Sequence, residues 1–333
     1  MTIPPRYRLT KEIAGLLADI ERLKTQLDLL PQIKIQEKFL RRKSILKSAV
    51  YSARIEGNPL HPHEISIADI KQTKNQTKLE SVNIYRAIEL ILQKNWRMKI
   101  KIDDVKKIHR LTMDQLSVGA GILRQESSAI FNSAGIAVYV CPSPAEIRSL
   151  LQKLLFFINR KTLDPIPVKA LLAHLVFEKV HPFLDGNGRV GRLLIHAILK
   201  QWRYNLRGLA AFEQYFENHR QEYYDLLAQT VKDATAFVSF GLKALRFGLK
   251  KTISSVHPSK NLARQDLLPL RRQEILAIIR DHNQVSFDFL HRRFAAISPR
   301  LLRYDLKKLQ DANLIKKLGV TRGAVYISGK INQ

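Results

Sequence analysis

The segment HPFLDGNGRVGR, residues 181–192, concentrates side chains that could carry out chemistry on a phosphate. His181 titrates near neutral pH and could take a proton from an attacking hydroxyl. Gly186 and Gly188 let the backbone turn so that its N–H groups face an anion, and a helix beginning here adds the positive end of its dipole. The pattern predicts a phosphate-binding loop with a general base beside it.

The other polar residues of this segment suit the same chemistry. Arg189 and Arg192 carry fork-shaped donors that match phosphate oxygens, and Asp185 offers the hard oxygen that Mg²⁺ prefers. Three glycines of the segment also fit the G-x-G-x-x-G pattern of dinucleotide-binding proteins, but that pattern needs a preceding strand in a βαβ unit. The preceding KALLAHLVFEKV has the apolar spacing of a helix, so an NAD site is not predicted.

The elements that position the segment are expected to be helical, because apolar residues recur three and four apart along most of the chain. The exception is Ser127–Val140, where two β-type runs flank NSAG and predict a hairpin. Helices are expected at 9–30, 38–55, 80–93, 102–116, 144–159, 167–180 and 189–202, and over ENHRQEYYDLLAQTV. Gly57 ends the second of them.

The pattern changes after residues 257–270, which lack periodicity and are interpreted as a linker. RRQEILAIIRDH and SFDFLHRRFA predict two helices, and Ser298 with Pro299 supplies the N-cap and first turn of a third, PRLLRYDLKKLQDAN. LIKKLGV and GAVYIS predict two strands around Thr321 and Arg322. Three helices and a hairpin resemble a winged helix, whose third helix usually enters the major groove of DNA.

The catalytic segment resembles the motif of the Fic family, H-P-F-x-[D/E]-G-N-G-R-x-x-R, and matches every fixed position. The preceding FEKV, GILR at 121–124, the hairpin and CPSP at 141–144 also fall where Fic proteins have comparable elements. The resemblance implies a mainly α protein with a Fic helical core and a β-hairpin flap. We expect an N-terminal helical region at 1–100, this catalytic core at 101–256, and the linker with a winged-helix domain at 257–333.

The resemblance also implies an activity: an ATP-dependent protein adenylyltransferase that moves AMP onto a Ser, Thr or Tyr hydroxyl of a target protein or of itself. His181 would be the general base, and Asp185 would hold the Mg²⁺ that bridges the α- and β-phosphates. A target segment would lie against the flap at 127–140 as an added strand, and an ordinary surface hairpin is the alternative. The ATP phosphates would be bound by Gly186, Asn187, Gly188, Arg189 and Arg192.

An upstream segment, SARIEGN at 52–58, resembles the inhibitory motif of the family, [S/T]-x-x-x-E-[G/N]. Ser52 and Glu56 are four residues apart and share one helix face, next to Gly57. The resemblance implies that Glu56 pairs with Arg192 and denies this arginine to the γ-phosphate. Outside this family context, such a pair is more often a solvated helix surface.

Composition restricts the class of protein and leaves its partners open. The chain is 45% hydrophobic, with no long apolar run and no signal peptide, so a cytoplasmic protein without membrane contact is expected. The single cysteine, Cys141, agrees with a reducing compartment. The net charge of +27 would attract nucleic acid, acidic proteins or anionic substrates.

Alternative functions remain at this point. The same site could remove AMP by hydrolysis or transfer another phosphate-containing group, although glycine in GNGR, where phosphotransferase members tend to have lysine, favours AMP transfer. The chain could instead be a DNA-binding regulator. DNA contacts would come from one side of the third C-terminal helix, through Arg300, Arg303, Lys307 and Lys308. Docking of a target protein or formation of a homodimer is the competing role for this region.

Overall fold

Helices dominate the protein, which confirms the mainly α prediction. The computed structural model describes residues 2–29, 34–93, 95–96, 99–131, 137–204, 206–229, 232–256, 268–282, 284–294, 297–319 and 324–329. The chain divides into two compact units. The larger comprises Met1–Ile33, Leu40–Pro62 and Lys74–His257, and the smaller comprises Lys34–Phe39, His63–Thr73 and Pro258–Gln333.

The helices predicted before residue 257 are present in the predicted order, with bounds that differ by a few residues, whereas the helices Ile67–Lys71 and Thr235–Val256 were not predicted. They are α1 (Lys11–Leu29), α2 (Lys34–Ile55), α3 (Ile67–Lys71), α4 (Gln76–Ile91), α5 (Ile102–Thr112), α6 (Pro144–Asn159), α7 (Ile166–Val180), α8 (Asn187–Gln201), α9 (Glu213–Asn218), α10 (Arg220–Ala228) and α11 (Thr235–Val256). Short 3₁₀ helices lie at Pro62–Glu64 and Leu206–Gly208.

Two consecutive helices, α7 and α8, form the centre of the larger unit. Every residue of α7 from Pro167 to Val180 is buried: apolar side chains lie on all sides of the helix, and Lys169, His174, Glu178 and Lys179 are buried among them. Helices α6, α8 and α11 pack against α7, while α4 and α5 pack against α8 and α1 packs against α11. The connection between α7 and α8, residues 181–186, therefore emerges from the middle of the core.

Local sequence explains several helix ends. Ser143 caps α6 ahead of Pro144, and its backbone N–H donates to Glu146 Oε2 at 3.0 Å. The helix α2 ends at Ile55, and Gly57 follows with a φ of +100°, as the sequence predicted. The stretch ENHRQEYYDLLAQTV contains parts of two helices rather than one, because the backbone leaves the helical conformation at His219 between α9 and α10.

The predicted hairpin is present as β1 (Ala129–Phe131) and β2 (Ala137–Val140), which pair antiparallel. Ala129 lies opposite Val140, and the register shifts between Ile130 and Phe131. The predicted NSAG turn lies outside the described residues. The hairpin lies within Lys74–His257, so it belongs to the same unit as the catalytic segment.

The smaller unit contains a second core. Its C-terminal elements are α12 (Leu270–Asp281), β3 (Gln284–Ser286), α13 (Phe287–Arg293), α14 (Pro299–Asp311), β4 (Ile315–Leu318) and β5 (Val325–Ser328), with an antiparallel sheet in the order β3-β5-β4. Ser298 Oγ accepts from the N–H of Leu301 at 3.3 Å, so the predicted N-cap is confirmed. The strand β3 was not predicted.

A winged-helix assignment for this unit stays a prediction. The observed order, helix, strand, two helices and two strands, accommodates the three helices and the hairpin read from the sequence. Residues 257–267 of the predicted linker and the proposed turn at Thr321 and Arg322 lie outside the described residues.

None of the helices in the described part of the chain is both long enough and apolar enough to cross a membrane.

Candidate active site

The loop between α7 and α8 depends on two residues in the left-handed conformation. His181 ends α7 with φ 47° and ψ 59°, and Gly186 starts α8 with φ 77°. A Cβ atom at Gly186 would lie 2.7 Å from the Sδ of Met113, so this position requires glycine for both its backbone and its space.

The side chain of Asn187 closes the loop on itself. Its Oδ1 accepts from the N–H of Phe183 at 2.9 Å, and its Nδ2 donates to the carbonyl of Phe183 at 2.7 Å. Asn187 is buried, and Phe183 is fully buried. Asn187 therefore fixes the loop, while its predicted contact with a phosphate stays a prediction.

His109 of α5 packs against the loop and holds it in place. It was not predicted from the sequence. Its Nδ1 accepts from the N–H of Gly121 at 2.7 Å, so the ring proton is on Nε2, which donates to the carbonyl of Asp185 at 3.0 Å. Its ring stacks on Phe183 with 3.7 Å between centroids. Burial lowers the pKa of His109, which keeps the ring in this neutral form.

Arg124 fixes the start of the loop and was also missed as a functional residue. Its side chain is buried, and its guanidinium donates to four backbone carbonyls: those of His181 at 2.7 Å, Glu126 at 2.7 Å, Pro142 at 2.6 Å and Val180 at 3.5 Å. The only sequence signal was its place in GILR. These contacts tie the segment that leads into β1 and the segment that follows β2 to the backbone of His181.

The ring of His181 is held in an orientation that suits a general base. Its Nδ1 lies 3.3 Å from the carbonyl oxygen of Glu178. Since a carbonyl can only accept, Nδ1 carries the proton and Nε2 keeps an unprotonated lone pair. Burial lowers the pKa of His181, so this neutral form predominates at pH 7.

Asp185, which precedes the N-cap of α8, and Arg189, on the first turn of that helix, lie side by side. The Asp185 side chain is 65% exposed, and its Oδ1 accepts from the N–H of Gly186 and from Arg189 Nη2, the latter at 2.8 Å. Arg189 is buried and also donates to Glu80 Oε1 at 2.7 Å. Asp185 is thus open to solvent, whereas Arg189 is held between two carboxylates.

The second arginine, Arg192, makes the contact that the resemblance to the inhibitory motif anticipated. It is 1% exposed, and its Nη2 donates to Glu56 Oε1 at 2.8 Å. Ser52 accepts twice more from this guanidinium, through Oγ at 2.9 Å and through its backbone carbonyl at 2.9 Å. The structure therefore brings Ser52 and Glu56 of the α2 end to the catalytic segment.

Gly188 makes room for this inhibitory carboxylate. A Cβ atom at Gly188 would lie 2.4 Å from Glu56 Oε1 and 3.1 Å from Arg192 Nη1. The carboxylate thus lies against the first turn of α8, where the helix dipole favours negative charge. The predicted phosphate-binding position and the Glu56 position are next to each other.

A buried chain of polar groups continues behind Arg192. Its Nη1 donates to the hydroxyl of Tyr223 at 3.5 Å, and this hydroxyl lies 2.8 Å from Nε2 of His174. His174 Nδ1 lies 3.5 Å from Glu178 Oε1. Burial lowers the pKa of His174 to about 3 and raises that of Glu178 to about 8, so both are neutral at pH 7. These neutral groups leave the charge of Arg192 to be balanced by Glu56.

Gly191 lets α7 and α8 approach each other at this chain of groups. A Cβ atom there would lie 2.1 Å from Glu178 Oε1 and 2.7 Å from His174 Nδ1. We expect Gly191→Ala to lower the free energy of unfolding by about 1–3 kcal/mol, because both groups are buried and would have to shift to make room for the added methyl group. The measurement is the melting temperature.

The matched control for this variant is Gly15→Ala. Gly15 is exposed on α1, and a Cβ atom added there would meet no other atom within 4 Å. Alanine at this helical position is expected to stabilise the protein by about 0.5–1 kcal/mol. A Gly191→Ala melting temperature at or above that of the wild type would contradict the close packing described for α7 and α8.

Fold and site together define a class of protein. It is an α-helical protein in which the buried helix α8 begins at a glycine-rich loop. A histidine, His181, precedes the loop, and Arg192 of α8 is held by the carboxylate of Glu56. The model of the Fic/DOC family matches residues 99–199, which include the whole loop. The chain therefore contains a Fic/DOC family domain.

Curated relatives agree with this assignment. The chain is 29% identical over 144 residues to a probable protein adenylyltransferase of Aquifex aeolicus, a match covering 41% of this chain and 43% of the relative. It is 26% identical over 198 residues to the protein adenylyltransferase Fic of Drosophila melanogaster, covering 56% of this chain and 39% of the relative. The matches thus span less than half the length of either relative.

Solved structures share the fold. A Fic family protein from Desulfovibrio desulfuricans is similar over 99% of both chains, with a TM-score of 0.65 and 23% identity. Fic-1 from C. elegans is similar over 74% of this chain and 73% of its own, with a TM-score of 0.59 and 23% identity. At these identities the structures support the fold, and they do not assign an activity to this chain.

Proposed function

We propose that this protein is a protein adenylyltransferase that transfers AMP from ATP to a Ser, Thr or Tyr hydroxyl of a target protein or of itself. The observation that carries the proposal is the neutral ring of His181 at the entrance to a loop that leads into the N-terminus of α8. The names of the curated relatives support the same activity.

In the proposed reaction, the target hydroxyl oxygen forms a bond to the α-phosphorus of ATP. The bond from that phosphorus to the oxygen bridging the α- and β-phosphates breaks, and pyrophosphate leaves. His181 Nε2 takes the hydroxyl proton, since the Nδ1 position donates to the Glu178 carbonyl. The hairpin β1–β2 would hold the target segment as an added strand.

The first turn of α8 would bind the phosphates. The backbone N–H groups of the N-cap Gly186 and of Asn187 and Gly188 lie at the positive end of the helix dipole. Arg189 and Arg192 would neutralise the β- and γ-phosphates, with phosphate oxygens replacing Glu56 as the partner of Arg192.

Asp185 fits the Mg²⁺ that such a reaction requires. Protein sites for Mg²⁺ often use one or two carboxylates together with substrate phosphates, and the Asp185 carboxylate is 65% exposed beside the loop. A cluster of three or more metal-binding side chains is absent from the described ranges, so a site shared with phosphates suits this protein better. The bound ion would neutralise phosphate charge.

We further propose that the arrangement described here is an inhibited one. Glu56 occupies the side of Arg192 that the γ-phosphate would use and lies against the first turn of α8. An ATP molecule must displace this carboxylate to bind with all three phosphates in place.

The test uses the full chain with Glu56→Gly, ATP labelled at the α-phosphate, and Mg²⁺, with and without an extract of the native cell. Label on the chain itself or on extract proteins supports the proposal, and capture of the labelled proteins identifies the target. Absence of label from both, with a folded variant, would contradict it.

A second proposed function is DNA binding by the smaller unit. The four predicted basic residues of α14, Arg300, Arg303, Lys307 and Lys308, are all exposed. The other face of α14 packs into the unit through Leu302, Leu306 and Leu309. This separation leaves a basic helix face of the kind that contacts DNA phosphates.

We expect the full chain to shift duplex DNA at low salt and to lose affinity steeply as salt rises. Replacing Lys307 and Lys308 with glutamine should reduce the slope of log affinity against log salt by about 1 for each lysine that binds a phosphate. The control replaces Lys106 and Lys107 of α5 in the other unit, which removes the same charge. No shift at low salt would count against DNA binding and favour a docking or dimer role.

A further inference from the structure

A basic cavity of about 280 Å³ lies between α2, α11 and the segment 209–214 of the larger unit. Its polar lining comes mainly from one turn of each helix. Lys43, Ser44 and Lys47 belong to α2, and Lys251 and Thr252 belong to α11. The cavity is separate from the loop at 181–186, since none of its lining residues belongs to the catalytic segment.

Three ammonium groups share this cavity without an acidic residue among its described lining. Lys43 and Lys47 are one helical turn apart on α2 and face Lys251 across the space. Burial and the like charges of Lys43 and Lys251 lower the pKa of Lys47. Lys251 also donates to Gln214 Oε1 at 3.1 Å, which places its ammonium group at the cavity. An anion in the cavity would relieve this repulsion.

The walls of the cavity are tied together at one point. Ser44 Oγ and Thr252 Oγ1 both donate to the backbone carbonyl of Leu209, each at 2.5 Å. This shared acceptor fixes α2 and α11 relative to the 209–214 segment. The lysines therefore face a preformed space rather than open solvent alone.

We propose that this cavity binds a small anion with one or two phosphate groups, and that binding strengthens the contact between Glu56 and Arg192. The size of the cavity is at the lower end for small-molecule sites, which favours a compact anion over a nucleic acid strand or a protein segment.

The coupling follows from the placement of both features on α2. The helix presents Lys43 and Lys47 to the cavity, and its last turn carries Ser52, followed by Glu56. An anion that bridges α2 to α11 binds best when α2 is in the described position. Because a ligand shifts the population toward the arrangement it binds better, it would favour the inhibited arrangement. This second part of the inference rests on the proposed function.

Binding is tested first, without any measurement of activity. The probe is 2,3-bisphosphoglycerate, a compact anion that the proposed reaction neither consumes nor releases, titrated by calorimetry into the full chain. We expect Lys43→Gln with Lys251→Gln to weaken binding about tenfold or more, since the variant lacks two charge-assisted contacts to the anion. Replacing Lys316 and Lys317 of the exposed strand β4 is the matched control and should leave binding unchanged.

Equal affinity of the wild type and the cavity variant, or no binding to the wild type, would overturn the inference. If the double variant does not fold, Lys47→Met keeps the aliphatic stem, removes one charge and serves in its place. Binding of a short DNA duplex that depends on these lysines, with no binding of the bisphosphate, would also overturn it in favour of a nucleic acid surface.

The regulatory part is tested by AMP labelling with the same probe. We expect the probe to slow the wild type about fivefold or more, and to have no effect on Glu56→Gly or on the cavity variant. Equal slowing of all three would indicate competition with ATP and overturn the coupling. If the proposed function is wrong, AMP labelling will be absent while the probe still binds.

Discussion

Glu56→Gly is expected to raise the rate of AMP transfer about 10²-fold at saturating ATP and Mg²⁺. Arg192 is buried, and its Nη2 is engaged by Glu56 Oε1 at 2.8 Å. A charge-assisted hydrogen bond of this kind contributes about 1.5–3 kcal/mol. Its removal frees Arg192 for the γ-phosphate, so that the α-phosphate can align with the incoming hydroxyl. The gain should therefore appear in turnover and not only in affinity for ATP.

Two further variants isolate the cause of this gain. Glu56→Gly combined with Arg192→Ala should remain inactive, because the freed arginine is the reason for the increase. Glu217→Gly is the matched control, since Glu217 pairs at 2.9 Å with Arg54, two residues before Glu56, and is not among the hydrogen-bond partners described for Arg192. It should label at the wild-type rate. A Glu56→Gly rate equal to that of the wild type would show that Ser52 and Glu56 form an ordinary helix face with no inhibitory role.

His181→Ala in the Glu56→Gly background should lower the rate of AMP transfer by about 10²–10⁴-fold, the usual contribution of a general base. Alanine at a left-handed position also strains the backbone, so His181→Asn is made in parallel, because asparagine tolerates this conformation and cannot act as the base. Both should be slow. His219→Ala, at an exposed histidine of the same unit, is the control and should keep the rate.

The dependence of the rate on pH provides an independent readout for His181. Burial lowers its pKa below the ordinary value of 6.5, and only the neutral ring accepts a proton. The rate of Glu56→Gly should therefore be constant around pH 7 and fall as the pH is lowered through a value under 6.5. A fall that begins above 6.5, or wild-type-like rates in both His181 variants, would exclude this histidine as the base.

The sequence anticipated the loop because its determinants are local. Gly186 was expected where the backbone turns, and it has a positive φ. The pairing of Glu56 with Arg192 was anticipated only through the family motif, since nothing local joins two residues so far apart. His109 and Arg124 were missed for the same reason. Each acts on the loop through a backbone carbonyl distant in the chain, and such contacts leave no spacing pattern.

Fold prediction failed where tertiary contacts decide the local structure. The strand β3 has only residues Gln284–Ser286, and it exists because β5 supplies its antiparallel partner. A run this short has no periodicity to detect. The break between α9 and α10 at His219 was missed because no proline or glycine marks it. The helix α11, in contrast, was strongly apolar and simply not assigned.

The most direct test of the proposed activity compares two positions of the label in ATP. Glu56→Gly is incubated with Mg²⁺ and with ATP labelled either at the α-phosphate or at the γ-phosphate, and label bound to protein is measured after denaturation. AMP transfer predicts that the α-label stays with protein and that the γ-label leaves with pyrophosphate. Retention of the γ-label alone, which indicates phosphate transfer, or of neither label would contradict the account.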